Sequence, residues 1–276
     1  MTTIDISCVI VAYHRSVQLE RLLRSLEHPR VRVIVVNVED DLQIRALGGA
    51  EFLGTTSNIG YAAAVNLGVG RAQTDLVVFM NDDVETDADA LLRLCERVTA
   101  GLTDVAIPLV EDRTGRLDLS ERRTLLRVAE RMLVAGMRAP REPLRVDAAW
   151  AVMVATRTDV VRATPMPEDY FMYWEDFDWF FQLKQKGVVV EINPAVRVRH
   201  AGGRLDVRPE KSRLLARNAV RCVRRTRGRA AALRAWPVVI AWQARQFIVS
   251  LARARLSLAR AHLAGLGAAL LALREV

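Results

Sequence analysis

Two acidic clusters in this sequence have the residue types and spacing for chemistry. Asn81-Asp82-Asp83 follows directly on the apolar run 76–80, so two carboxylates and an amide would stand together at the carboxyl edge of a strand. Their mutual repulsion is unfavourable without a cation. A hard divalent ion such as Mg2+ or Mn2+, completed by diphosphate oxygens and water, would offset it. The competing reading is a polar turn that caps the helix expected from about Asp87.

The second cluster is the run 170–181, Tyr-Phe-Met-Tyr-Trp-Glu-Asp-Phe-Asp-Trp-Phe-Phe, which sets Glu175, Asp176 and Asp178 in the densest aromatic stretch of the chain. Burial beside aromatic rings raises a carboxylate's pKa toward a range useful for accepting a proton, and rings such as Trp174 could wall a sugar pocket. An amphipathic helix with its acids in the first turn explains the same pattern structurally. On helical spacing Glu175 and Asp178 share a face while Asp176 points elsewhere, which implies at least two roles.

Two further features stand near expected strand or helix ends. His200 closes the segment 196–200 ahead of Gly202-Gly203, where backbone can approach closely. Asn58-Ile59-Gly60-Tyr61 precedes a helix that contains Asn66, and by default such an asparagine caps the helix.

The elements that must position these residues alternate along the first hundred positions. Apolar strand patterns at 6–12, 31–37, 50–53 and 76–80 alternate with helical patterns at 17–27, 41–47, 61–72 and 87–99. That order predicts a parallel, doubly wound α/β sheet whose ligands lie beyond the carboxyl ends of the strands. Residues 111–143 are polar and Arg-rich with one helical stretch, 117–137, and read as an insertion or acceptor-side loop. Regular structure resumes with a strand over 146–155, a helix over 156–163, the aromatic helix 173–186 stopped by Gly187, and a strand over 188–192.

The hydrophobic share of 51% excludes a disordered chain. Cys8, Cys95 and Cys222 are too scattered for a disulfide framework or a zinc site and read as buried thiols. The net charge of +8 is unevenly placed: from Lys211 onward fourteen Lys and Arg face Glu275 alone, leaving the preceding residues mildly acidic. Residues 229–273 are rich in Ala, Leu and Arg and interrupted only by Pro237, which predicts one long helix. Arg234, Arg245, Arg253, Arg260 and Arg274 fall within roughly a quarter of its circumference. No run reaches the roughly 18 apolar residues of a spanning helix, so an interfacial helix anchored by Trp236, Trp242 and Phe247 on an anionic membrane surface is the expectation. No secretory signal is visible at the start, which predicts a cytoplasmic protein, peripheral on the inner face of the cell membrane.

Taken in order, these pieces resemble the inverting glycosyltransferase family 2, whose members adopt the GT-A fold, and in particular its rhamnosyl- and galactofuranosyltransferase-like members. The resemblance covers about residues 6–203. It is carried by Ser7-Cys8-Val9-Ile10-Val11-Ala12-Tyr13-His14-Arg15, by Thr56 to Asn66 with its Asn-x-Gly, by Val78 to Val84, by Tyr170 to Asp178, and by His200. It implies a GT-A catalytic domain over 1–210, with a nucleotide-sugar half at 1–110 and an acceptor half at 144–205. A helical basic extension at 211–276 follows.

The resemblance also assigns roles. Asp83 becomes the principal ligand of a divalent cation, Mg2+ or Mn2+, with Asn81 or Asp82 assisting and His200 as a further ligand. Asp176 becomes the base that deprotonates the acceptor hydroxyl, and Glu175 orients the acceptor. Ala12, Tyr13, Arg15, Glu39, Asn58, Gly60, Asn66, Trp150 and Trp174 line donor and acceptor, and Arg217, in the segment Arg213 to Asn218, meets the diphosphate. The chain departs from the family where Asn37-Val38-Glu39-Asp40-Asp41 replaces a small acidic turn resembling Asp-Asn-Gly-Ser. The implied partners are a nucleotide diphosphate sugar, a lipid-linked or cell-envelope glycan acceptor and a second copy of the chain.

Two other classes compete. A non-enzymatic nucleotide-sugar- or nucleic-acid-binding protein would use the basic tail, yet that tail offers few aromatics and a long apolar surface, so no nucleic acid is expected. A dinucleotide-dependent oxidoreductase is disfavoured because the first strand leads to Tyr13-His14-Arg15-Ser16 rather than a Gly-rich turn.

Overall fold

A computed structural model describes residues 5–14, 16–112, 140–200 and 208–272. Arg15, Arg274, Gly202-Gly203 and the helical stretch expected at 117–137 lie outside the described residues. The chain runs β1 (Ile6–Ala12), α1 (Val17–Ser25), β2 (Val31–Asn37), a 3-10 turn (Val38–Asp40), α2 (Leu42–Arg45), β3 (Glu51–Gly54), α3 (Tyr61–Arg71), β4 (Leu76–Asn81), β5 (Val84–Glu85), α4 (Ala88–Thr99) and β6 (Val105–Glu111). It continues with β7 (Leu144–Val146), β8 (Met153–Arg157), α5 (Thr158–Ala163), a second 3-10 turn (Glu168–Tyr170), α6 (Glu175–Gln185), β9 (Val190–His200) and helices α7 (Pro209–Arg227), α8 (Arg229–Ala252) and α9 (Leu256–Ala272).

Among the described residues nine strands form one sheet in the order β3-β2-β1-β4-β8-β6-β9-β5, with β7 beside β9. The half built from β3, β2, β1 and β4 is parallel, as the alternation of strands and helices predicts. β8 runs antiparallel between β4 and β6, and β9 returns parallel to β6. Alternating side chains of the central strands feed two cores, because successive residues of a strand face opposite sides. Val9, Ile34, Val36, Val77 and Phe79 join α3 and α6 on one face. Cys8, Ile10, Val35, Val78 and Met80 join α1 and α4 on the other. α3 lies close on the sheet at Gly68, where any side chain would collide with Val9.

Caps fix where the helices begin. Ser16 Oγ accepts the Leu19 N–H at 3.0 Å to start α1, and Asp87 Oδ1 accepts the Ala90 N–H at 2.8 Å to start α4. Gly187, with φ of 77°, stands just beyond α6 as expected of a helix stop.

The structure corrects the sequence reading in three places. The strand expected over 146–155 is two strands, because residues 147–152 leave the ladder and turn toward α6. The strand expected over 188–192 continues to His200 across a register shift opposite Pro108 and Leu109, which absorbs Pro194. The tail is a hairpin of α8 and α9 rather than one helix. Pro237 stays inside α8 on an exposed side, where its displaced carbonyl partner can reach water, and the break comes at Ala254 with φ of 53°. The continuous arginine face therefore does not exist. Two of its expected anchors are occupied by packing: Trp236 Nε1 donates to Ala269 O at 2.7 Å, and Trp242 meets His262 edge to face at 5.5 Å. Phe247 is half-buried.

Candidate active site

The Asn81-Asp82-Asp83 turn ends β4 at the carboxyl edge of the parallel strands. The helix cap that could have explained it is supplied by Asp87 instead, so these three side chains are left for other work. β5 pairs Val84 with His200 at the end of β9, which brings the imidazole over the turn. His200 Nε2 lies 3.2 Å from Asp83 Oδ1 and 3.3 Å from Asn81 Nδ2. Asp82 sits beside the Tyr13 N–H, and burial, reinforced by the Asp83 charge, pushes its pKa up to about 7.

A carboxylate and an amide on the turn, with the imidazole that ends β9 above them, suit a hard or borderline divalent ion, which would offset the burial of Asp82 and its repulsion from Asp83. Among the described residues no three His, Cys, Asp or Glu side chains are gathered closely enough to hold a metal by themselves. A resident ion would therefore take part of its coordination from elsewhere, as Mg2+ commonly does from phosphate oxygens and water.

The second cluster begins α6. Asp176 is buried, and its carboxylate accepts the Phe177 N–H at 2.8 Å and the Ala151 N–H at 3.3 Å. Both bonds favour its charged form. Glu175 is buried too, and its Oε2 has no hydrogen-bond partner in the structure. Burial first, and the neighbouring Asp176 second, raise the Glu175 pKa well above the ordinary glutamate range. Glu175 is therefore the carboxyl that burial disposes to keep a proton. Asp178 does a separate job, since it accepts Tyr170 Oη at 2.7 Å, Arg225 Nε at 2.7 Å and Gln182 Nε2 at 3.1 Å and ties α6 to α7. The three acids do divide, but not as helical spacing grouped them: Asp178 stands apart, and Glu175 feels the charge of Asp176 rather than pairing with Asp178.

One short segment joins the two clusters. Ala151 N–H reaches Asp176, Ala151 O accepts the Tyr61 hydroxyl at 2.9 Å, and Val152 O accepts the Asn81 N–H at 3.1 Å. Tyr61 responds to both sides: burial raises its pKa, and Glu175, Asp176, Asp83 and Asp82 raise it further. The carboxylates of the two clusters therefore share one electrostatic site with a phenol between them.

The turn before α6 is strained. Phe171, Tyr173 and Trp174 have φ of 64°, 69° and 78°, a region that costs non-glycine residues about 1–2 kcal/mol each. Fixed partners hold it. The buried Asn218 side chain on α7 donates Nδ2 to the carbonyls of Tyr170, Met172 and Tyr173 at 2.9, 2.8 and 3.2 Å. Trp174 Nε1 donates to Leu215 O at 2.9 Å, and Phe171 O accepts the Tyr61 N–H at 2.9 Å. That last bond requires glycine at position 60, whose φ is 81° and where a side chain would strike the Phe171 backbone. Asn58 shapes the same corner by accepting the Gly60 N–H at 3.0 Å, and it does not cap α3.

The remaining sequence-derived residues divide. Ala12 is buried at the end of β1, and Tyr13 is exposed beside it with its ring 3.9 Å from that of His14. Glu39 is exposed at the end of β2 with φ of 64°, its N–H on Thr55 Oγ1 at 3.2 Å. Trp150 packs edge to face on Phe177 at 5.6 Å, beneath the two acids. Asn66 is committed to structure, exchanging bonds with Met166 N and O at 3.0 and 2.8 Å and with Glu168 Oε1 at 2.8 Å. Trp174 is buried against α7, and Arg217 Nε contacts Asn218 Oδ1 at 3.2 Å. Sequence reasoning missed Tyr61 and the Ala151 N–H, and it passed over Asn218 although that residue stands beside Arg217 in the quoted segment. The signal available for Asn218 was a lone amide amid the arginines of a long basic helix.

A family model described as glycosyl transferase family 2 matches residues 7–157. Among solved structures, GalNAc-T7 with UDP, GalNAc and Mn2+ superposes with a TM-score of 0.60 at 15% identity, over 80% of this chain and 48% of that one. S. aureus TarS 1–349 gives 0.51 at 16% identity over 90% and 73%. Its complex with UDP-GlcNAc gives 0.51 at 13% over 88% and 73%. At these identities the likeness is one of fold, the GT-A type, and the chain spans about half the length of the GalNAc-T7 chain. A comparison with curated proteins returned no match.

The protonated Glu175 makes a thermal prediction. Its folded-state pKa is raised, so the stability it contributes is full below the ordinary glutamate range and is lost as pH rises through the higher folded value. Glu175→Gln should flatten the decline in melting temperature between about pH 5 and pH 8.5, by about 2–4 °C for each kcal/mol involved. Parallel declines in parent and variant would show that Glu175 is ionised in the fold.

Proposed function

The chain belongs to glycosyl transferase family 2, and from that membership we propose that it transfers a sugar from a nucleoside diphosphate donor to an acceptor hydroxyl by a single inverting displacement. The observation that carries this reading is the Ala151-Val152 segment, which holds Asp176 and Asn81 on adjacent backbone groups. That shared segment supports reading the Asn81–Asp83 turn and Asp176 as two sides of one site.

Asp176 is the base. Its two N–H bonds aim it, and it takes the proton of the acceptor hydroxyl as that oxygen forms a bond to the anomeric carbon. The bond from that carbon to the diphosphate oxygen breaks from the opposite side, its electron pair leaves with the diphosphate, and the configuration inverts. Glu175, carrying its proton, donates to the acceptor and holds it for attack. A divalent cation, Mg2+ or Mn2+, would be held by Asp83 and His200 with Asn81 or Asp82 assisting, and would supply neutralisation of the departing diphosphate. The contact of Asp83 with His200 and the raised Asp82 pKa support that assignment. Ala12, Tyr13 and Glu39, at the carboxyl ends of β1 and β2, border the nucleotide.

The solved structures extend the reading to substrates. UDP-GlcNAc stands in the TarS complex, and UDP with Mn2+ in GalNAc-T7, which favours a nucleotide diphosphate sugar here. We assign rhamnose or another hexose as the transferred sugar and a lipid-linked or cell-envelope glycan as the acceptor, following the rhamnosyl- and galactofuranosyltransferase-like motifs of the sequence.

Donor cleavage and transfer, followed against a panel of nucleotide sugars, test the proposal. Asp176→Asn should lower turnover by at least about a hundredfold with donor affinity kept, as loss of a general base does. Chelation of divalent ions should stop the parent enzyme, and Mg2+ or Mn2+ should restore it. Unchanged turnover in Asp176→Asn removes the base assignment, and full activity in chelator removes the metal assignment.

A further inference from the structure

Seven of the thirteen large hydrophobic side chains most exposed among the described residues belong to α8 and α9: Leu233, Ile248, Leu251, Leu256, Leu263, Leu270 and Leu271. They concentrate at the turn between the two helices and along one face of α9. Every residue of the turn from Leu251 to Ser257 is exposed, and Ile248 precedes it at 63% exposure. Leu256, Leu263 and Leu270 recur at intervals of seven, so they lie in one stripe of α9 that starts at the turn.

The charges around this surface have one sign. Residues 229–272 contain no Asp or Glu, while Arg245, Arg253, Arg255 and Arg260 are all exposed beside the turn. Alkyl groups interleaved with unpaired arginines and no acids fit an interface where one side is hydrocarbon and the other anionic.

The turn also projects toward the active-site end. Gln243 Oε1 contacts Ser212 Oγ at 3.4 Å and His262 Nδ1 at 2.9 Å, which sets the level of α8 and α9 against the first turn of α7. Leu251 is eight residues further along, about 12 Å beyond that level. Leu215, which accepts the Trp174 indole, lies less than one turn inside α7 from Ser212. The apolar turn therefore stands on the order of 15–20 Å along the helix axis from the residue that abuts Glu175.

We propose that the turn between α8 and α9, with the adjoining stripe of α9, docks on an anionic lipid surface. Ile248, Leu251, Leu256 and Leu263 enter the boundary of the acyl chains, and Arg253, Arg255 and Arg260 meet lipid phosphates. The structure disfavours the other occupants. A second copy of the chain would bring unpaired arginines onto arginines, and a nucleic acid would leave the isobutyl groups without bases to stack on, since the turn carries no aromatic ring. Resting on the transfer reading above, this docking would hold the catalytic end of the chain at the surface from which a lipid-linked acceptor presents its hydroxyl. The docking itself requires neither sugar nor nucleotide.

Sedimentation of the full chain with vesicles tests it, using neutral phosphatidylcholine alone or with about a third phosphatidylglycerol. Binding should require the anionic lipid. It should fall about tenfold or more in Ile248→Ser with Leu256→Ser, and again in Arg253→Gln with Arg255→Gln. These side chains are exposed, so both variants should keep the parent's circular dichroism and melting temperature. No binding to anionic vesicles overturns the proposal. So does loss in the arginine variant without loss in the serine variant, which would signify attraction to any polyanion, and duplex DNA competing equally would assign the surface to nucleic acid. A dimer by light scattering that the serine variant dissolves would assign it to a second copy. Transfer activity that fails while vesicle binding follows the expected pattern would overturn the enzymatic reading and leave the docking intact.

Discussion

The buried amide of Asn218 is the contact on which the turn before α6, and so the placing of Glu175 and Asp176, depends. It offers two hydrogens to three carbonyls, those of Tyr170, Met172 and Tyr173, on a turn whose backbone would otherwise relax. Three left-handed non-glycine residues in four positions amount to roughly 3–6 kcal/mol of strain, a large share of what an ordinary domain has to spare. The turn is held because the buried Asn218 is a fixed donor to those carbonyls. Release would let Trp174 swing, and with it the first residues of α6, Glu175 and Asp176.

From that brace the arrangement of charge follows. Asp176 is fixed by backbone N–H groups of its own helix and of Ala151, while the Glu175 Oε2 is buried without a hydrogen-bond partner. Burial raises the Glu175 pKa, and the neighbouring Asp176 adds to the shift. Across the site the same physics acts differently. Asp82 and Asp83 repel each other and face His200, an arrangement eased by a cation. Tyr61 lies between, bonded to the backbone that joins the halves.

Much of this was legible in the residues. Apolar runs bounded by helical patterns gave β1, β2 and β4 nearly to the residue, because strands covered on both faces leave no polar alternation to confuse them. Asn81 to Asp83, Glu175 and Asp176 stood out since acids next to apolar or aromatic runs conflict with simple burial. What could not be read was set by tertiary contact. Residues 147–152 look like strand and instead bend to meet Asp176, and Asn66 looks like a ligand but clamps the loop at Met166. The hairpin in the tail turns at Ala254, where no glycine or proline announces it, while Pro237, which should interrupt, faces solvent and does not.

Asn218→Ala tests whether α7 positions Glu175 and Asp176 for the proposed transfer. Donor affinity measured by calorimetry, beside kcat and acceptor KM in the transfer assay, separates positioning from collapse. On that positioning, donor affinity should stay within about twofold of the parent while kcat falls by roughly a hundredfold, the scale on which an ångström of misplacement acts. A variant that folds, binds donor and turns over at the parent's kcat would contradict it.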